Sequence, residues 1–431
     1  MATVAKKCKA DTSTLNPLFI IGALFFVFGF VTWLSSVLIP YLKIACELNN
    51  FQSYLVAFAF YISYFVMAVP SARVLKITGY KKGMSVGLLL VAIGSLIFIP
   101  AALCRQYSIF LFGLFVQGAG LALLQTASNP YVTILGPLES AAKRMSIMGI
   151  CNGIAGIIAP IILGAVILND VDALTGSLNK LTALQKTTEL NALAQKVILP
   201  YIIITLALIV LAAFIYRSSL PEIKEEPEDP SLLPAVNNKT SIFQFPHLLI
   251  GVFTLFVYTG VEVIAGNTII SYGTYQGIPL STAKFFTSFT LVSMLVGYVV
   301  GIISIPRYIC QEHALKYSAL LGIIFASLAI LTHGYTSVLF VALLGLANSL
   351  MYPAIWPLAL AGLGKFTKIG SSFLVMAISG AALLPLLYGW LADNINAQQA
   401  YWLVIPCYMI IGYYAISGHK AGKYNIKTNL K

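Results

Sequence analysis

The chain has 431 residues, of which 59% are hydrophobic and only 9% charged, and its formal net charge is +12. Soluble domains carry roughly 25% charged residues, so a water-soluble globular protein is excluded. The positive balance is no sign of nucleic-acid binding either, because Lys and Arg are scattered along the chain rather than gathered in one basic run.

Apolar runs of about 20 residues, the length that crosses a hydrocarbon core, recur throughout. They predict twelve spans, at 17–39, 53–77, 83–103, 108–128, 144–168, 198–216, 247–271, 283–305, 316–333, 336–360, 370–391 and 399–417. Lipid offers the backbone no hydrogen-bond partners, so each span must be a helix. The first span follows Lys6, Lys7 and Lys9 but is too long for a cleavable signal. It carries Thr32-Trp33-Leu34-Ser35-Ser36 ahead of Pro40. Span 4 ends on Gln125, Thr126, Ser128 and Asn129, and span 5 holds Asn152. The segment 169–196 is polar, with Leu174, Leu178, Leu181 and Leu184 spaced for one face of a helix. Residues 217–245 are acidic and Pro-rich, too polar to insert. They divide the chain into an N-terminal six-helix bundle (1–216), a linker (217–245) and a C-terminal six-helix bundle with a basic tail (246–431).

The C-terminal part opens on the most informative residue. Of the 14 carboxylates, Glu262 alone stands in the middle of a span. A charge at bilayer depth costs about 2.5–3.5 kcal/mol on insertion scales, so it is expected to face a hydrated cavity. Tyr258 and Asn267 flank it, and span 10 adds Asn348, Tyr352 and Trp356. Amides donate and accept at once, as sugar hydroxyls do, and flat aromatic faces suit the C–H side of a pyranose. No Lys or Arg lies mid-span to hold an anion. This inventory favours a neutral polyol, although Ser, Thr and Asn also serve as plain interhelical hydrogen bonds. Trp33 and Trp356 read equally as packing residues.

The two parts repeat. Gln125 precedes Pro130 as Asn348 precedes Pro353, and Pro160-Ile-Ile-Leu-Gly164 resembles Pro385-Leu-Leu-Tyr-Gly389 at nearly the same offset. Two motifs agreeing on one spacing point to tandem duplication. The prolines and glycines of spans 4, 5, 10 and 11 predict bent or closely packed helices there. With both termini in the cytoplasm, 20 of the 26 Lys and Arg fall on the inner side, as the positive-inside rule requires. The six cysteines show no ligand spacing, so neither a metal centre nor a disulfide framework is expected. The four histidines fall at span ends and read as solvated or interfacial groups.

Several runs resemble the fucose permease and glucose/galactose transporter family of the major facilitator superfamily. They are Asn49-Asn50-Phe51-Gln52, Gln125-Thr-Ala-Ser-Asn129-Pro130-Tyr-Val-Thr-Ile-Leu-Gly136-Pro137, Leu199-Pro200-Tyr201, Gly260-Val-Glu262-Val and Asn348-Ser-Leu-Met-Tyr-Pro353. Gly79-Tyr80-Lys81-Lys82-Gly83 is a degenerate form of the superfamily's loop signature, without its acidic residue. The resemblance implies an all-α membrane protein of two six-helix bundles in the bacterial inner membrane. It implies import of a hexose by alternating access, coupled to a cation gradient. The fucose branch carries an Asp where Ser36 stands and a Glu where Gln125 stands, so that branch's coupling residues cannot be transferred. Glu262 belongs instead with the glucose/galactose branch.

The expected machinery is therefore Glu262 as the coupling residue, binding H⁺ or, with hydroxyls of Ser35 and Ser36, Na⁺. Trp33, Gln125, Asn129, Asn152, Tyr258, Asn267, Asn348, Tyr352 and Trp356 are the expected sugar contacts. No cofactor beyond the coupling ion is expected, and the partners are a sugar and the bilayer, with the chain a monomer. The rivals are a multidrug or lipophile:proton antiporter, an uncoupled sugar uniporter and a non-transporting sensor; no constellation of an enzyme is present.

Overall fold

The computed structural model describes residues 17–134, 141–168, 171, 174, 181–218, 241–305, 308–363 and 366–422. Linker positions 219–240, the Gly136-Pro137 loop and Leu178 lie outside the described residues, as does the side chain of Asn129. The described residues contain no strand, and twelve helices or helix pairs are long and apolar enough to cross a membrane, as the sequence predicts. They run Leu18–Ala45, Asn50–Thr78, Tyr80–Cys104, Tyr107–Ser128, Ile147–Ile167, Ile198–Arg217, Pro246–Asn267, Leu280–Ser304, Gln311–Leu331, Gly334–Leu360, Ile369–Asn394 and Gln399–Ile416.

Packing within each half follows one scheme. Span 1 packs on 5, 2 on 4, 3 on 4 and 3 on 6; in the second half 7 packs on 11, 8 on 10, 9 on 10 and 9 on 12. The halves meet through spans 2 with 11 and 5 with 8. Two glycines set the closest approaches. A Cβ on Gly29 would fall 2.0 Å from the Asn152 carbonyl oxygen in the 1–5 pair, and one on Gly380 would fall 1.8 Å from that of Phe256 in the 7–11 pair. Small residues of this kind are how membrane helices gain contact without a hydrophobic driving force.

Of the four spans in which prolines and glycines predict bends or close packing, 10 and 11 are broken and 4 and 5 are not. Span 4 runs unbroken through Pro130 and span 5 through Pro160. Spans 1, 7, 8, 10 and 11 are interrupted, at Leu34, Thr268, Lys284–Phe285, Ser349–Leu350 and Ile378–Ser379. Side-chain hydroxyls explain three of these: Ser35 and Ser36 bond back to the carbonyls of Thr32 and Trp33, Thr268 to Ile264 and Ser379 to Met376, competing with the helical ladder. In span 10 Pro353 removes the amide that Ser349 would receive four residues earlier.

Span 2 starts at a capping box: Asn49 accepts from the Gln52 amide at 2.7 Å, and Gln52 Oε1 accepts from the Asn49 amide at 3.1 Å. The loop before span 6 forms the helix Ala183–Gln195. Its buried residues are Leu190, Leu193 and Ala194, whereas Leu184 is 79% exposed, so the predicted leucine face is displaced by two turns. The Tyr41 hydroxyl meets the carbonyls of Leu193 and Ala194 at 2.7 and 2.9 Å, docking this helix on the end of span 1. His247 and His419 are buried rather than solvated, bonding the carbonyls of Ala361 and Tyr414 at 2.9 Å.

Candidate functional site

The end of the bundle where span 6 finishes at Arg217 and span 7 begins at Pro246 is the linker end; the other is the far end. Span 7 is buried from Val257 through Ile270 except at Glu262, which keeps partial exposure. Charged side chains in membrane helices face the bundle interior or a hydrated cavity, and Glu262 faces the interior between the halves, toward spans 2, 8, 10 and 12.

Tyrosines surround it. The Tyr258 hydroxyl stands beside the carboxylate one helical turn away, in near contact rather than a formed hydrogen bond, because that buried hydroxyl finds no partner in bonding geometry. Tyr61 of span 2, Tyr298 of span 8, Tyr352 of span 10 and Tyr408 of span 12 all lie within electrostatic reach of Glu262. Tyr258 and Tyr352 rings lie 6.3 Å apart, and Trp356 stacks on Tyr352 at 5.5 Å and 28°. The Tyr408 hydroxyl donates to Asn348 Oδ1 at 2.9 Å, which leaves the buried Nδ2 of Asn348 without an acceptor. On the opposite wall Gln125 Nε2 donates to the Tyr64 hydroxyl at 3.2 Å, and Tyr64 lies 6.2 Å from Tyr61. Gln125, Tyr352 and Trp356 are half-buried, as is Asn152 on span 5.

Thus the structure gathers Glu262, Tyr258, Tyr352, Trp356, Asn348 and Gln125 in one chamber. It does not gather Ser35, Ser36, Asn267 and Trp33 with them. Ser35 and Ser36 donate to their own helix at 2.8 and 2.7 Å, and Ser35 accepts from Asn267 Nδ2 at 3.0 Å. Five residues separate Glu262 from Asn267, about 7.5 Å along a helix, so the expected grouping of Glu262 with Ser35 and Ser36 is not formed. Trp33, only 5% exposed, wedges between Gly156 of span 5 and Gly266 of span 7 and packs on Leu291 and Met294 of span 8.

These four residues belong to a seal on the far side of the chamber. There Asp393 of span 11 accepts from span 2, Tyr54 meets Tyr388 edge-on at 5.7 Å, and Ser288 of span 8 donates to the Ile157 carbonyl of span 5 at 2.9 Å. Beyond the seal lies a separate hollow of about 290 Å³, lined by Lys43, Asn50, Tyr54, Ser271 and Tyr388 among others. The partly exposed side chains Gln125, Tyr298, Tyr352 and Trp356 all lie on the linker side of the seal, so the chamber is shut at the far end.

Sequence reasoning missed Tyr61, Tyr64, Tyr298 and Tyr408. Tyr61 and Tyr64 are three apart and so share a helix face, a signal open to notice. Tyr298 and Tyr408 sit among apolar neighbours with no such mark. No group of three or more His, Cys, Asp or Glu side chains gathers to hold a metal among the described residues.

Residues 21–377 match the family model for the Major Facilitator Superfamily. The chain is 37% identical over 403 residues to a glucose/galactose transporter of Brucella abortus biovar 1 (strain 9-941), covering 92% of this chain and 93% of that protein. It is 29% identical to the L-fucose-proton symporter of Escherichia coli (strain K12), over 96% of this chain and 95% of the symporter. Among solved structures, a crystal structure of the transporter FucP in the outward conformation superposes with a TM-score of 0.71 at 29% identity, covering 93% of this chain and 97% of that one.

Proposed function

From the premise that this chain belongs to the Major Facilitator Superfamily, we propose that it imports a neutral hexose of the glucose/galactose class by proton symport. The bundles 1–216 and 246–431 rock about the chamber, with 217–245 as the linker between them. The linker end faces the cytoplasm, in keeping with the excess of Lys and Arg there, and the membrane is the bacterial inner membrane. The described conformation is then inward-facing, sealed on the outside.

The observation that carries this reading is Glu262, partly exposed in a buried helix and ringed by phenol hydroxyls. Hard cations prefer sets of carboxylate, carbonyl and water oxygens; a carboxylate among tyrosines suits a proton better than Na⁺. Glu262 takes the proton from outside and releases it inside. Gln125, Asn152, Tyr352 and Trp356 contact the sugar, the amides pairing with hydroxyls and the stacked rings covering its apolar face. Tyr258 and Asn348 keep buried polar atoms without partners, which a sugar admitted to the chamber would satisfy.

The test is uptake of radiolabelled glucose and galactose into proteoliposomes under an imposed H⁺ or Na⁺ gradient. Accumulation driven by outside acid and abolished by Glu262→Gln supports the assignment. Accumulation driven by Na⁺ alone, or equilibration without accumulation, overturns proton coupling. Transport of lipophilic cations in place of sugars overturns the substrate class.

A further inference from the structure

Asp393 ends span 11 at the far end, and its carboxylate is spent entirely on the other half of the molecule. Oδ1 accepts from the Asn50 amide at 3.1 Å and from Asn50 Nδ2 at 2.7 Å; Oδ2 accepts from the Phe51 amide at 2.7 Å. The two amides open span 2, where no intrahelical acceptor exists for the first N–H groups. The capping box of Asn49 and Gln52 serves other amides of the same turn. Span 2 is therefore capped in two parts, one from its own loop and one by a carboxylate of the opposite bundle. Such a charge-assisted cap is stronger than a neutral one and is favoured by the helix dipole.

Two neighbours hold it in register. Lys43 Nζ, at the end of span 1, donates to Asn50 Oδ1, which turns the amide so that Nδ2 faces Asp393. A Cβ on Gly389, one turn before Asp393, would fall 2.4 Å from the Tyr54 ring, so the bare glycine lets span 11 press against span 2.

We propose that Asp393 is the latch of the outer gate, a carboxylate cap that exists only while the two bundles touch on the outside and so sets the balance between inward- and outward-facing states. Asp393 is exposed even in this state, so parting of the bundles strips span 2 of half its cap and leaves the carboxylate with water alone. A contact made in one state only shifts the equilibrium by its full differential strength. Asp393 touches no sugar and acts through the gate. This inference rests on the alternating-access reading above.

The experiment is a pulsed spin-label distance measurement across the outer face of the full chain, with labels at Leu184→Cys and Ile395→Cys, which are 79% and 62% exposed, and the native cysteines removed. Asp393→Asn keeps the shape but puts an NH₂ against donors, and the outward-open fraction relative to the inward-facing one is expected to rise at least tenfold. Asp393→Glu, which keeps the charge, falls between parent and Asn variant. Asn50→Ala, which removes one of the three bonds, gives a smaller rise and stands in should Asp393→Asn fail to fold. Distance distributions unchanged in every folded variant overturn the latch. No sugar is present in this measurement, so an error in the substrate leaves it intact, while a failed latch leaves the uptake assay untouched.

Discussion

The chamber around Glu262 and the seal above it are built from the same helices and opposite rules. Span 7 contributes to both: Glu262 to the chamber, Asn267 and Gly266 to the seal five residues on. In the chamber, polar atoms are left over. The Tyr258 hydroxyl and Asn348 Nδ2 have no partner, and Glu262 has only a near contact. In the seal most are used up, with Ser35 joined to Asn267, Ser288 to Ile157 and Asp393 to three donors of span 2, Asn267 Oδ1 being the exception. Unsatisfied buried groups cost about 1–3 kcal/mol each, a cost that a ligand bound in the chamber would offset. Satisfied groups across two bundles instead hold one state against another.

The hardest way to break the contrast is to overfill the seal. A Cβ on Gly266 would fall 2.2 Å from the Trp33 ring, and overpacking of this kind costs about 1–3 kcal/mol. Gly266→Ala is expected to favour the outward-facing state by about thirtyfold, for about 2 kcal/mol. The outer-face distance measurement reads this directly, and an unshifted population would mean that Trp33 merely fills space.

Removing the chamber's charge has the next largest effect. A gradient of about one pH unit is worth about 1.4 kcal/mol per proton, enough for a tenfold accumulation at one proton per sugar. Glu262→Gln is expected to bring that ratio down to unity while sugar exchange between two loaded compartments persists. Outside acid should raise wild-type uptake and leave the variant's unchanged. A variant that still concentrates sugar would return Glu262 to a packing role.

How much of this was legible depends on which physical signal each residue gives. Glu262 stands out because charge is rare at bilayer depth, and the twelve spans stand out because length and apolarity set them. The repeat is written in Pro130, Pro353, Pro160 and Pro385. What is not written is direction. Ser35, Ser36 and Asn267 look as polar as Gln125, yet a turn or two of helix puts them in the seal rather than the chamber. Tyrosines 298 and 408 carry no mark at all, since a phenol in a membrane helix reads the same against lipid, against a neighbour or against a carboxylate. The helix breaks were legible only in part for a related reason: those of spans 10 and 11 fall in spans marked by proline, but back-bonding hydroxyls at Ser35 and Thr268 interrupt spans 1 and 7 as well, while Pro130 and Pro160 sit in helices that continue.

A gentler probe of the chamber is the amide on its N-terminal wall. Gln125 is half-buried and bonded to Tyr64 at 3.2 Å, so it offers a sugar one further donor and its carbonyl. Gln125→Ala deletes a hydrogen bond worth about 1 kcal/mol, which raises KM about fivefold. The maximal rate should hold, because Glu262, the proposed proton carrier, is on the other half. A fall in rate with KM unchanged would move Gln125 from sugar binding to gating, and the comparison between the walls would fail.

The smallest effect lies at the boundary of the two zones. Ser35→Ala removes the oxygen that accepts from Asn267 Nδ2 at 3.0 Å, and Asn267 Oδ1 already lacks a partner, so the variant leaves the whole amide orphaned in the seal. In water-soluble cores that would be severe, but hydrogen bonds between membrane helices average only about 0.6 kcal/mol by double-mutant cycles. The outward-facing fraction should therefore rise about threefold, with sugar affinity unchanged because Ser35 does not reach the chamber. If affinity falls instead while the outer-face distances stay fixed, Ser35 contacts the sugar and the seal begins one turn further out, at Asp393 and Tyr54.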